Sequence, residues 1–493
     1  MYMTHTNHLP PKIPTNIVGF DRLADGGLPK GRAIVISGSA GSGKTIFGLE
    51  FLFRGITELK EPGVFVTFEE RRADLFMDVV GFGWSFDQLE KQGLIAFVDA
   101  SRVAENQVEV GEYDFGALIA RIRFAVDKVK AKRVVIDSIG SLFLRYKDYA
   151  LVRREMFKLV SILRELGVTT IITAERVNDS DGASRFGVED FVADSVIFLY
   201  NSAVGRQRER QIEIVKLRGG SHQTGRYPFL ISEDGIVVFP RQSEDFAKDT
   251  ATSRVSIGVD GIDAMTDGGI YRGSTTLLKG PSGTGRTVLG MSFLSEGVRR
   301  GERGVLFSFE EGRAQIFMDA KTIGLNFAAA EKRRLLQVVA WQPEEMPLEA
   351  YLKQMRHIIK EFQPRRVVID SVTPLVNSVD QQRFRRFAVS LNSFLKARQI
   401  TTLINYTSSA ATGEAAGTDS DLAVIADNII AMNFAEIEGK MERIILIAKS
   451  RASAHDKDVR RYAINSAGMC VIGATAKACL EPASGVRRKK RRK

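Results

Sequence analysis

The sequence predicts an α/β fold built twice: two tandem domains, each a mostly parallel sheet flanked by helices. Three observations carry this prediction. The pattern G-x-x-x-x-G-K-[ST] runs from Gly38 to Thr45, between a strand-like stretch and a helix-like one. Apolar β-branched runs alternate with helical patterns through each half, as βαβ units require. Five sequence blocks recur in the same order about 240 residues further on, which marks a duplicated domain rather than a short solenoid repeat.

In chain order, Ala33–Ile36 reads as a buried strand, Gly38–Thr45 as a phosphate loop and Ile46–Leu52 as an amphipathic helix. Phe65–Phe68 is a strand that leads into Glu69 and Glu70. Val134–Ile136 follows the helix-like 118–129, and Thr169–Ile172 follows the helix-like 152–166. Strands this continuously apolar fit a sheet covered on both faces. Beyond Val192 helices give way to short strands and glycine turns, so Gln211–Leu217 and Gly235–Phe239 are expected to form an antiparallel edge.

The second copy repeats these landmarks. Gly19–Gly27 resembles Gly261–Gly269, and Gly38–Thr45 resembles Gly280–Thr287. Phe65–Glu70 resembles Leu306–Glu311, and Arg133–Ser138 resembles Arg366–Ser371. Lys216, Arg218 and His222 correspond to Lys449, Arg451 and His455. The polar stretch Gln242–Asp249 is the expected linker. The expected domains are therefore 1–247 and 248–485, with a basic tail at 486–493.

Composition bounds the function. The chain of 493 residues carries a net charge of +11. Its last seven residues, Arg487–Lys493, are all basic, which leaves +4 on the remaining 486. The basicity is a tail of the kind expected to be disordered and to touch nucleic acid, membrane or acidic protein non-specifically, so nucleic acid is not expected as a partner except through it. No run approaches the roughly 18 apolar residues of a membrane helix, so no membrane association is expected. Residues 1–15 lack the apolar core of a signal peptide. Two cysteines, Cys470 and Cys479, exclude a disulfide framework and fit a reducing cytoplasm. They are not spaced as a metal site.

The chemistry sits at strand ends. The loop glycines let backbone N–H groups wrap phosphate oxygens, and the helix N-terminus adds partial positive charge. Lys44 is placed to reach the β- and γ-phosphates of ATP, and the Thr45 hydroxyl to ligate Mg²⁺. Asp137 ends an apolar strand beside the loop and is a second Mg²⁺ candidate, against the plainer reading of a helix cap. Thr287 and Asp370 repeat this context. Hydrolysis needs a group that positions water, and Glu69 is the candidate with Glu70 in support. Adjacent strand residues point to opposite faces, so only one of the two can face the nucleotide. Lys216 and Arg218 lie two apart on one strand and so share a face. A cation pair presented outward can reach a neighbour's γ-phosphate in trans.

The duplicated domain, the Phe-Glu-Glu strand end and Lys216-Leu217-Arg218-Gly219 followed by Ser221-His222 resemble the KaiC family of clock ATPases, in the RecA superfamily. The resemblance runs from about Gly19 to about Gly468. It implies two RecA-like phosphate-loop NTPase domains in a double-layered hexameric ring, with ATP between neighbouring subunits. It further implies a slow ATPase in the first domain. The second domain would be an autokinase and phosphatase acting on a Ser–Thr pair. Carried over, Gly41, Ser42, Gly43, Lys44, Thr45 and Ile46 bind nucleotide, as do Gly283, Thr284, Gly285, Arg286, Thr287 and Val288. Glu69 and Glu70 serve hydrolysis, and Glu310 and Glu311 take the kinase-base position. Lys216, Arg218 and His222, with Lys449, Arg451 and His455, reach ATP on the adjacent protomer.

Three departures qualify the resemblance. Arg286 stands where Lys is expected; its planar fork is not a compact ammonium, so nucleotide binding should survive more readily than phosphoryl transfer. The positions that match the phosphorylated pair are Ala423 and Val424, which lack hydroxyls, although Thr418 and Ser420 lie nearby. The C-terminal segment that engages KaiA in the family is not recognisable after Gly468, so a KaiA-type partner is not expected, while a KaiB-like one is open. The reading is an ATP-hydrolysing KaiC-like hexamer with its activity in the first domain and weak or lost autokinase function in the second. Its rivals are an active autokinase that uses Thr418 or Ser420, a RecA-type DNA-dependent ATPase, and a scaffold held together by ATP.

Overall fold

The computed structural model describes residues 11–100, 115–138, 140, 149–176, 193–204, 207–240, 252–343, 345–408 and 422–473. The chain divides into two compact units, 1–241 and 242–493. Thr418, Ser420, the linker stretch Gln242–Asp249 and the basic tail lie outside the described residues.

The first unit opens with a small ladder, β1 (Lys12–Ile13) against β2 (Leu28–Pro29). Its main strands are β3 (Ala33–Gly38), β4 (Gly63–Thr67), β5 (Ile95–Asp99), β6 (Arg133–Asp137), β7 (Thr169–Glu175), β8 (Ser195–Val204), β9 (Gln207–Leu217), β10 (Tyr227–Ser232) and β11 (Gly235–Val238). They form one sheet in the order β11-β10-β9-β8-β3-β7-β6-β4-β5. Pairings from β8 across to β5 are parallel, and those from β8 to β11 are antiparallel. The predicted switch to an antiparallel edge occurs where the helices stop. A helical crossover is what permits parallel neighbours, and a tight turn reverses direction.

The second unit repeats the plan. Its small ladder is β12 (Arg254–Val255) with β13 (Ile270–Tyr271). Its main strands are β14 (Thr275–Gly280), β15 (Gly304–Ser308), β16 (Leu336–Ala340), β17 (Arg366–Asp370), β18 (Thr401–Thr407), β19 (Asn428–Ile437), β20 (Lys440–Ser450), β21 (Arg460–Asn465) and β22 (Gly468–Val471). Their order is β16-β15-β17-β18-β14-β19-β20-β21-β22. Cys470 on β22 is disulfide-bonded, a cross-link that the sequence reading does not anticipate.

Two apolar layers cover the first sheet. Helix Lys44–Leu59 lays Phe47, Phe51, Leu52 and Ile56 on one face. Helices Phe115–Val129 and Tyr149–Glu165 lay Leu118, Ile122, Met156 and Leu163 on the other. Each such side chain contributes about 1.5–3 kcal/mol on burial. One charge lies inside this packing. Arg133 is fully buried; it pairs with Glu61 at 2.7 Å and donates to the carbonyls of Phe51 at 2.9 Å and Pro14 at 2.8 Å. Its guanidinium carbon lies 4.4 Å from the centroid of the Phe51 ring. Gly55 makes room for it, because a Cβ there would meet Arg133 at 2.5 Å. Arg366, Glu302 and Gly297 repeat the arrangement.

Candidate active site

The phosphate loop leaves β3 and turns into helix Lys44–Leu59 through Gly43, at φ +96°. That left-handed conformation suits glycine, and a Cβ would come 2.8 Å from the Ile231 side chain. The first-turn N–H groups have no partner within the helix and face the loop with the positive end of the dipole. Lys44 folds back over the loop and donates to the carbonyls of Gly38 at 2.9 Å and Ser39 at 3.0 Å. Burial pushes its ammonium pKa down, opposed by the carboxylates of Glu175, Asp137 and Glu69. From outside, Asn201 donates to Ala40 O at 3.4 Å and Arg210 to Gly41 O at 3.2 Å.

Asp137, at the end of β6, accepts hydrogen bonds from Thr173 and Thr45. Burial raises its pKa, and those bonds and Lys44 oppose the rise. A hydroxyl and a carboxylate joined at the mouth of the loop fit Mg²⁺, which takes one or two protein oxygens beside phosphate. Ser138 donates to Glu69 at 3.4 Å. The peptide bonds Asp137–Ser138 and Asp370–Ser371 are both cis.

Glu69 and Glu70 differ from the sequence expectation in their setting. The strand ends at Thr67, so both sit in a turn closed by Thr67 Oγ1 donating to Glu70 O at 2.8 Å, and strand alternation does not sort them. Their neighbours do. Burial raises both pKa values; Glu69 next feels Glu175 and Asp137 and is drawn back by Lys44, whereas Glu70 faces Asp137, Asp78 and Asp74.

The second site keeps the frame with different contents. Asp370 accepts from Asn405 and Thr287. Ser371 donates to Glu310 at 2.8 Å. Glu311 feels burial and then Asp370, both raising its pKa. Arg286 occupies the Lys44 position: its Nη1 donates to the carbonyls of Gly280 and Pro281, and its Nη2 donates to Thr407 Oγ1 at 2.8 Å. Arg443 donates to Gly283 O at 3.2 Å, as Arg210 does in the first domain.

Ile46 and Val288 lie in the first turns of the loop helices. Lys216, Arg218 and His222 are not brought to the loop of their own domain. Leu217 pairs with Ser195, which pairs with Ile34, while the loop begins at Gly38. The cations therefore sit at the opposite sheet edge, roughly 13 Å away along the strand. Lys216 donates to Ala193 O at 2.8 Å. In the second domain Lys449 donates to the carbonyls of Ala423 and Ala426, both at 2.7 Å, and Arg451 to Val424 O at 3.3 Å. His455 lies beside Ser453.

Glu175 is absent from the sequence expectation. It ends β7, paired with Gly38 at the start of the loop, and its Cγ lies 3.9 Å from where a Cβ on Gly140 would be. Gly140 N in turn donates to Ser138 Oγ at 3.3 Å, so Glu175 joins the Glu69 cluster. Thr407 holds the same register position opposite Gly280 in the second domain. The signal existed: a carboxylate that ends the apolar run Thr169–Ala174 is the same cue that identifies Asp137.

Fold and site together define a tandem phosphate-loop NTPase of RecA-like architecture. The chain belongs to the KaiC ATPase family, whose profile matches residues 13–243 and again 255–476. It is 42% identical over 457 residues to the circadian clock oscillator protein KaiC of Thermostichus vulcanus, covering 93% of this chain and 88% of that one. It is 44% identical over 460 residues to the circadian clock protein KaiC3 of a Synechocystis species, covering 93% and 91%. To the circadian clock oscillator protein KaiC 1 of the same organism it is 41% identical over 457 residues, covering 93% and 88%. No helix among the described residues is long and apolar enough to cross a membrane.

Proposed function

We propose that the protein is an ATP-hydrolysing, ring-forming member of the KaiC family that acts in clock-type signalling, with hydrolysis in the first domain. One contrast carries the reading. In the first site a compact ammonium, Lys44, stands among Glu175, Asp137 and Glu69; in the second, a guanidinium, Arg286, faces the matching Asp370 and Glu310 but is tied to Thr407 where the first site has Glu175. A water positioned by Glu69 and Glu175 attacks the γ-phosphoryl group, which Lys44 holds against the loop. Thr45 and Asp137 would hold Mg²⁺, which would supply charge neutralisation to the phosphates. Lys216 and Arg218 stand a strand length from their own loop, so they serve the neighbour's nucleotide and make the hexamer part of the mechanism. The second domain holds nucleotide and transfers phosphate weakly or not at all. A KaiB-like protein is the natural partner class.

The test is native mass and bound-nucleotide content with and without ATP and Mg²⁺, together with labelled-ATP turnover and phosphopeptide mapping. The expected result is an ATP-dependent hexamer that releases phosphate without stoichiometric labelling of the second domain. Labelled Thr418 or Ser420 would favour the autokinase. Assembly without turnover would favour a scaffold. DNA stimulation that survives removal of Arg487–Lys493 would favour a DNA-dependent ATPase.

Glu175→Gln is expected to lower turnover about ten- to a hundredfold with KM unchanged, because it removes a water-orienting charge rather than a phosphate contact. An equal change in KM and kcat/KM with kcat preserved would assign it to binding instead.

A further inference from the structure

The second domain has a cleft of about 940 Å³ at the N-terminal edge of its parallel strands, remote from the phosphate loop at their C-terminal edge. Arg272, Arg303, Lys360, Arg365 and Arg398 line it, with Glu302 as the one acid. Glu302 is already committed to Arg272 at 2.8 Å and to buried Arg366 at 2.7 Å. Arg303, Lys360, Arg365 and Arg398 are exposed, and none of the four makes an ion pair among the described residues.

A plainer reading is that these cations serve helix ends. Arg303 donates to Phe362 O and Arg398 to Phe394 O, both at 3.1 Å, and cations at helix C-termini are favourable. The first domain supplies the control. Strand registers align Gly63 with Gly304, Arg133 with Arg366 and Thr169 with Thr401. The charged lining positions then fall on Lys30, Pro62, Asp127, Lys132 and Leu166, with Glu61 matching Glu302, while Gly301 and Gln363 fall on Lys60 and Lys130. Four lysines there stand with two acids and no arginine, and the same helices form. The second copy raises the net charge of these positions from +2 to +4 and supplies it mainly as arginine, which the fold itself does not require.

We propose that this cleft binds a compact polyphosphate anion, the chemistry shared by inorganic oligophosphates and by the phosphate chain of a nucleotide. Guanidinium groups bind phosphate oxygens in bidentate fashion. Arg303 and Arg398 each spend one N–H on a helix carbonyl, which fixes the side chain and leaves its other donors for the ligand. The concave wall, cationic apart from the paired Glu302, concentrates such an anion. The apolar base formed by Ile359, Pro364 and Ile400 supplies no competing acceptor side chain.

Full-length protein, with both phosphate loops held saturated by Mg·ADP, would be titrated calorimetrically with sodium tripolyphosphate. Saturable binding is expected, weakening steeply with added salt. The pair Lys360→Asp with Arg398→Leu copies the residues of the first domain and so suits the fold; it should weaken binding at least about tenfold. Lys360→Arg with Arg398→Lys should retain it. Competition by ATP beyond the two loop equivalents would identify a nucleotide as the source, and binding of tripolyphosphate alone an inorganic one. Absence of saturable binding, or unchanged affinity in the Asp/Leu pair with the Trp341 fluorescence melt intact, would overturn the proposal.

Discussion

Glu69→Gln combined with Glu70→Gln is expected to lower ATP turnover by about a hundredfold or more while ATP remains bound. Neither carboxylate belongs to the loop, whose amides and Lys44 are the proposed source of affinity, so binding and chemistry should separate. Glu69 shares its surroundings with Glu175, Asp137 and Lys44, and the single change Glu69→Gln should account for most of the loss. Glu70 also faces Asp137 but has Asp78 and Asp74 where Glu69 has Glu175 and Lys44, and it should contribute the smaller part. Steady-state phosphate release alongside fluorescent-nucleotide binding checks this. Turnover retained in the double variant would move hydrolysis to the second domain.

Arg133→Ala should destabilise the first domain by about 3–5 kcal/mol. The substitution leaves Glu61, the carbonyls of Phe51 and Pro14, and a cavity beside Gly55 without the group they were built around. An exposed arginine would cost far less, because surface pairs contribute about 0–1 kcal/mol. The two tryptophans, Trp84 and Trp341, fall one in each domain. In a Trp341→Phe background, denaturant unfolding followed by Trp84 fluorescence reads the first domain alone. A midpoint unchanged by Arg133→Ala would show that the contacts are replaced by water at little cost.

The strand–loop–helix unit was legible because it is local. Apolar runs of fixed period, a glycine-rich loop and strand-end carboxylates are all read from neighbours in sequence, and the antiparallel edge follows from the loss of helices after Val192. Duplication supplied an internal check: Asp137 and Asp370, or Glu69 and Glu310, gain weight by recurring. Strand alternation does not order Glu69 over Glu70, because the strand ends at Thr67.

What the amino-acid sequence determined by itself is the repeated α/β architecture, the two loops, and the exchange of Lys44 for Arg286 between them. Tertiary structure alone decided which distant groups meet. It placed Glu175 beside Lys44 and Thr407 beside Arg286, because adjacent parallel strands share a register that no local pattern records. It set Lys216 and Arg218 a strand length from their own loop, because β9 runs antiparallel and ends where β3 begins. It also gathered Arg303, Lys360 and Arg398 into one cleft from three separate crossovers. Side-chain chemistry is written residue by residue, but the field at a site is a sum over neighbours in space, and only the folded sheet specifies those.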